Sequence, residues 1–201
     1  SGSGFVKNVS PISIEDLGKF SPTQLLDFVT NWEPTSKRQD FFEDESIEGL
    51  AQLVAQIIYE NTNQYKEIIF EIAKTKPIFT IEILQNFAKS DDIKPKQWKI
   101  LINMCNELLD DIAIRKNMES SLEGNWMWAR QRIAELLRSG FQKDEHLIPD
   151  SMWVRARDIL IILANDPDPF QGSDPMPELG NISAINDPLT VSLNRVRPVA
   201  L

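Results

Sequence analysis

Between Asn125 and Asn165 the chain holds two helical patterns separated by a polar break: NWMWARQRIAELLRSGF, then QKDEHLIPD, then SMWVRARDILIILAN. This stretch constrains the fold more than any other. In the first pattern Met127, Arg130, Ala134 and Leu137 interleave with Trp126, Ile133 and Leu136 at three- and four-residue steps, which draws an apolar stripe along one side of a helix. In the second, Trp153, Ala156, Leu160 and Leu163 repeat the step. Asn125 has the side chain of an N-cap, Gly140 reads as a C-terminal stop, and Pro149 sits where a first helical turn accepts its fixed φ and missing N–H. The spacing therefore predicts an αα-hairpin. Its stripes are too wide for the two helices to satisfy each other, so neighbours are expected on both sides.

The rest of the chain supplies such neighbours. Residues 1–9, opening Ser1-Gly2-Ser3-Gly4, read as a flexible segment. Ser13 with Asp16, three residues on, resembles a capping box for a helix through Leu17, and Ser21-Pro22 opens another whose inner side is Leu25, Leu26, Phe28, Val29 and Trp32. Residues 35–45 read as a charged surface loop. Ser46 then caps the clearest helix, carrying Leu50, Leu53, Val54, Ile57 and Ile58. After Asn61–Asn63 the stripe restarts with Tyr65, Ile68, Ile69, Ile72 and Ala73, and so short a connection predicts two antiparallel neighbours. Pro77 opens a helix with Ile78, Ile81, Leu84, Phe87 and Ala88 inward, and Pro95 one with Trp98, Leu101, Ile102, Cys105, Leu108, Leu109 and Ile112. Residues 115–124 are a polar connection. The fold class expected is all-α over residues 10–164: antiparallel helical hairpins stacked as a HEAT-like array, or an irregular helical bundle. A Pro/Asp-rich connection follows over 165–187. A last helix over 188–201, with Leu189, Leu193 and Val196 inward, is expected to pack back on the array, and the stop at Leu201 inside an apolar pattern suggests an excised fragment.

Composition excludes several functions. A net charge of −9 repels a phosphate backbone and no basic cluster interleaved with aromatics offsets it, so nucleic acid is not an expected ligand. No run of about 18 apolar residues is present to span a membrane. The single cysteine forbids an internal disulfide framework and points to a reducing cytoplasm. His146, the only histidine, lies in a polar connection and rules out multi-histidine metal sites. Cys105 lies in an apolar stripe, where a buried thiol outweighs a catalytic one. Asp166, Asp168 and Asp174 fail the EF-hand register, because its Gly falls at Gln171 and its closing acid at Pro177. Glu43-Asp44-Glu45 and Asp110-Asp111 read as solvated faces. Neither cofactor nor metal is expected. Trp126, Trp128 and Trp153 read as core before they read as a ligand groove, and Asn194 and Arg197 as groups that orient the last helix.

Several stretches also resemble a helical region of very large bacterial multidomain proteins. They are Ser10-Pro11-Ile12-Ser13 with Leu17, Trp32-Glu33-Pro34, Glu48-Gly49-Leu50-Ala51, Trp98, Trp128-Ala129-Arg130, Ile148-Pro149, Asp166-Pro167-Asp168-Pro169, and Asp187-Pro188 ahead of Ser192-Leu193-Asn194 and Val196-Arg197. The resemblance covers nearly the whole chain. It implies an array that serves other domains, among them signal-transduction (STAND-type) NTPase modules associated with antiphage defence. This chain departs from that pattern at Pro198, and no G-x-x-x-x-G-K-[ST] phosphate loop occurs in it. The expected role is thus a non-enzymatic scaffold or protein-interaction module, partnered by protein; the alternative is a ligand-binding or enzymatic helical domain with a Trp-lined pocket.

Overall fold

The computed structural model describes residues 7–33, 43–90, 92–111, 114, 125–142 and 147–165. The last helix expected over 188–201, the connection before it and the 115–124 segment lie outside the described residues.

Helix starts follow from local side-chain chemistry. In α1 (Ile14–Leu17) the Ser13 Oγ accepts from the Asp16 N–H at 3.2 Å and donates to the Asp16 carboxylate at 3.0 Å. At the head of α2 (Pro22–Asn31) the Ser21 Oγ accepts from the Gln24 N–H, the Gln24 Oε1 accepts from the Ser21 N–H, and Pro22 fills the first position. Ser46 caps α3 (Ile47–Glu60) through the Gly49 N–H at 3.0 Å. Two short helices, α4 (Thr62–Tyr65) and α5 (Ile69–Ala73), lead to α6 (Pro77–Ala88) and α7 (Pro95–Asp110), both begun by proline. Asn125 caps α8 (Trp126–Gln142), its Oδ1 accepting from the Trp128 N–H at 2.8 Å. A 3-10 turn over Asp150–Met152, entered from Pro149, feeds α9 (Trp153–Ala164).

The domain is all-α apart from one small addition. Lys7–Val9 (β1) pairs in parallel with Glu43–Glu45 (β2), Lys7 opposite Glu43 and Val9 opposite Glu45. Part of the segment expected to be flexible and part of the loop expected over 35–45 thus form a two-stranded ladder, with β1 against α3. Backbone hydrogen bonds between two charged or polar segments draw on no apolar pattern, so hydrophobic periodicity cannot announce them.

The main packing partner of a helix lies two or three places along the chain. α6 lies between α3 and α8, the two most extensive contacts in the molecule, while α7 touches α5 and α9; α1 meets α3 and α2 meets α5. This gives two rows, α3–α6–α8 and α5–α7–α9. α3 and the Tyr65–Ala73 stretch, expected as antiparallel neighbours, touch through α4, but the principal partner of α3 is α6. That stretch breaks into two helices too short to cover fourteen residues of α3, and α6 covers them instead. Tyr59, near the end of α3, stacks edge-on against Phe87 near the end of α6 at 5.1 Å and donates to the Ser90 Oγ at 2.9 Å, so these two helices run in the same direction. The hairpin of α8 and α9 exists, but α8 is held chiefly by α6.

α6 occupies the centre. Ile78, Phe79, Thr80, Ile81, Ile83, Leu84 and Phe87 are all buried, over more than one face of the helix, and the Thr80 hydroxyl donates to the Ala73 carbonyl at 2.8 Å. Ala88, expected inward, is exposed.

Candidate interaction surface

The three tryptophans named from the sequence part company. Trp126 is buried in the core cluster. Trp153 is half-buried: its ring meets Phe141 edge-on at 6.1 Å and its Nε1–H donates to the Ile148 carbonyl at 2.8 Å. Trp128 is 46% exposed, so the core placement expected for it is corrected. In the helical register it falls two residues beyond Trp126, on another face of α8, and i,i+2 neighbours do not share a face. Asn194 and Arg197 lie outside the described residues. Val154 at 62% and Ile161 at 52% exposure join Trp128 as the large apolar side chains left in water among the described residues. Val154 and Ile161 stand seven residues apart, two turns along one side of α9.

Two buried residues of the same helices have roles that periodicity does not show. Arg130 lies in the apolar stripe and is fully buried; its Nη1 donates to the Ile114 carbonyl at 2.8 Å, which ties α8 to the segment that follows α7. Gly140, expected to stop α8, lies inside it, and the helix continues to Gln142. A Cβ at that position would stand 2.6 Å from Ile148 Cγ1 and 2.9 Å from Trp98 Cη2. The glycine is needed there for close approach rather than for termination. Trp98 itself is fully buried, with no acceptor for its Nε1–H among the described residues.

Reactive chemistry is sparse. Burial pushes the Cys105 thiol up to about 12, which keeps it protonated at neutral pH and without the thiolate a nucleophile needs. Burial also raises the Glu82 carboxyl on α6, against the opposing fields of Lys89 and Arg132. Asp16 is lowered by hydrogen bonds from Lys19 and Ser13 and serves its helix cap. Among the described residues no three His, Cys, Asp or Glu side chains cluster to hold a metal, and no helix is long and apolar enough to cross a membrane. His146, Asp166, Asp168 and Asp174 lie outside the described residues.

Three surface grooves flank α7. One of about 580 Å³ runs between α7 and the α4–α5 region, bordered by Lys66, Phe70, Lys99 and Asn103. A second, about 710 Å³, lies at the α3–α4 junction beside Lys94 and Gln97. The third, about 780 Å³, opens between α7 and the start of α9, where Lys96, Lys99 and Arg155 converge. No tryptophan lines any of the three. These are open, polar-edged grooves, unlike the apolar enclosures that hold small ligands.

In comparisons with known proteins, no family model matches the chain, and neither a curated protein nor a solved structure is similar enough to count as a match.

Proposed function

We infer that the chain is a non-enzymatic helical scaffold, a short HEAT-like array that receives a protein partner on the free side of its last helices. One observation carries this reading: the large apolar side chains exposed among the described residues, Trp128, Val154 and Ile161, belong to α8 and α9. In a two-row array each helix is covered by the next helix of its row, and α8 and α9 are the described helices with no such successor. Apolar surface at that position is what the next layer of an array, or a protein that takes its place, would bury. The sequence resemblance to helical regions of large bacterial multidomain proteins suggests neighbouring domains of one parent as that partner, in the cytoplasm, with antiphage defence as the setting. A net charge of −9 argues against nucleic acid as the occupant.

The test pairs two surface substitutions with a functional readout. The double variant Trp128→Asp, Ile161→Asp should keep the melting temperature of the parent chain and lose a protein that the unaltered chain retains in pull-downs from its own cells. A partner held equally by the variant refutes the assignment of this face. Hydrolysis of nucleotide, peptide or nucleic acid by the purified chain refutes the scaffold reading itself.

A further inference from the structure

The groove between α7 and α9 shares Val154 at its rim with the face just described, but its polar side carries the opposite character to the chain as a whole. On α7 the positions Lys96, Lys99, Asn103 and Asn106 recur at three- and four-residue steps, opposite the buried Trp98, Ile102, Cys105 and Leu109. Arg155 reaches across from α9 and donates to the Asn103 Oδ1. Asp158 is the single carboxylate lining the groove, and Arg157 holds it at 3.0 Å. Lys96 and Lys99 are exposed and have no ion-pair partner among the described residues. Three cations thus converge on one groove of an acidic protein.

We propose that this groove is the docking site for the acidic, proline-spaced segment of the same chain that follows α9, residues 166–178. That segment carries Asp166, Asp168, Asp174 and Glu178 and no lysine or arginine. Its prolines Pro167, Pro169, Pro175 and Pro177 fix φ at alternate stretches, so it loses less conformational freedom on binding than a Gly/Ser linker would.

Chain length fits as well. Asn103 meets Arg155, and the start of α7 and the start of α9 line one groove, so the two helices run in the same direction. Asn165 therefore stands about 15 Å along the axis from the Arg155 level, and Lys99 and Lys96 lie about 20 to 26 Å away, at ~1.5 Å per helical residue. At a rise of ~3.1 Å per residue for proline-spaced chain, Asp168 has a reach of about 9 Å and Asp174 about 28 Å from Asn165, enough to span all three cations. Tethering holds the acids at an effective concentration in the millimolar range, enough for contacts that are individually weak, and salt should release them, since the Debye length is ~10 Å at 0.1 M.

The experiment uses the full chain with Ser173→Cys carrying a nitroxide; Cys105 is buried and does not compete for the label. Amide signals of Lys96 to Asn103 and of Met152 to Asp158 should broaden severalfold more than those of α3 and α6. The broadening should vanish in 0.5 M salt and in the Lys96→Gln, Lys99→Gln variant, whose remaining spectrum reports an intact fold. Uniform or absent broadening overturns the proposal, as does broadening that survives the double substitution. Broadening seen only when labelled and isotope-enriched chains are mixed overturns it in favour of a second copy.

Discussion

α6 and α9 are twelve-residue helices of similar make, PIFTIEILQNFA and WVRARDILIILA, each with three isoleucines. Their fates differ. α6 buries seven residues over more than one face, whereas α9 buries Ala156, Ile159 and Leu163 and leaves Val154 and Ile161 in water. The difference follows rank in the array rather than composition: α6 has α3 on one side and α8 on the other, and α9 has α7 and α8 but no described helix beyond.

The comparison can be broken most forcefully at Phe79, fully buried on a side of α6 that a one-sided helix would leave in water. Phe79→Ala should cost about 3 to 5 kcal/mol in chemical denaturation, because lost transfer energy and an unfilled cavity add. A cost under about 1 kcal/mol would show α6 to be peripheral. Gly140→Ala comes next, expected to cost about 1 to 3 kcal/mol as Ile148 and Trp98 are pushed aside. Were the glycine a simple helix stop, alanine there would be neutral or stabilising, so a gain in stability would reverse its assignment.

Glu82 sharpens the picture of a crowded α6 through pH. Its pKa in the native state lies above that of the unfolded chain, because burial disfavours the charge. The unfolded chain therefore sheds this proton first, and stability falls as pH rises from the unfolded pKa through the native one. Glu82→Gln should accordingly be more stable than the parent chain at neutral pH, with the gain shrinking toward pH 4, as read by denaturation midpoints across that range. A gain independent of pH would show that the carboxyl is solvated. The smallest effect is expected at Ile161→Ala, within about 0.5 kcal/mol by thermal melting, as for surface substitutions generally. A larger loss would mean that Ile161 is covered and that α9 resembles α6 after all.

Where helices begin was legible because the signals are local. Ser13, Ser21, Ser46 and Asn125 each accept from an N–H three residues ahead, and Pro22, Pro77 and Pro95 occupy first turns as their fixed φ requires. Burial on one-sided helices was legible too: Leu50, Val54, Ile57 and Ile58 on α3 follow the stripe. On α6 the same method found Ile78, Ile81, Leu84 and Phe87 and missed Phe79, Thr80 and Ile83, since the buried surface of this helix extends well beyond a single stripe. The candidate surface was less accessible. Trp126 and Trp128 are two residues apart, and the sequence could not tell which of them α6 and its neighbours would cover.

The sequence by itself determined the all-α class, most helix starts and the absence of a phosphate loop, because each rests on residue identity or on interactions reaching three or four positions along the chain. Only the tertiary structure decided that α3 pairs with α6 instead of with the helices between them, that Gly140 serves a close approach, and that three cations meet in one groove. Those outcomes depend on which surfaces remain uncovered once helices distant in the chain have packed, and no window of contiguous residues contains that information.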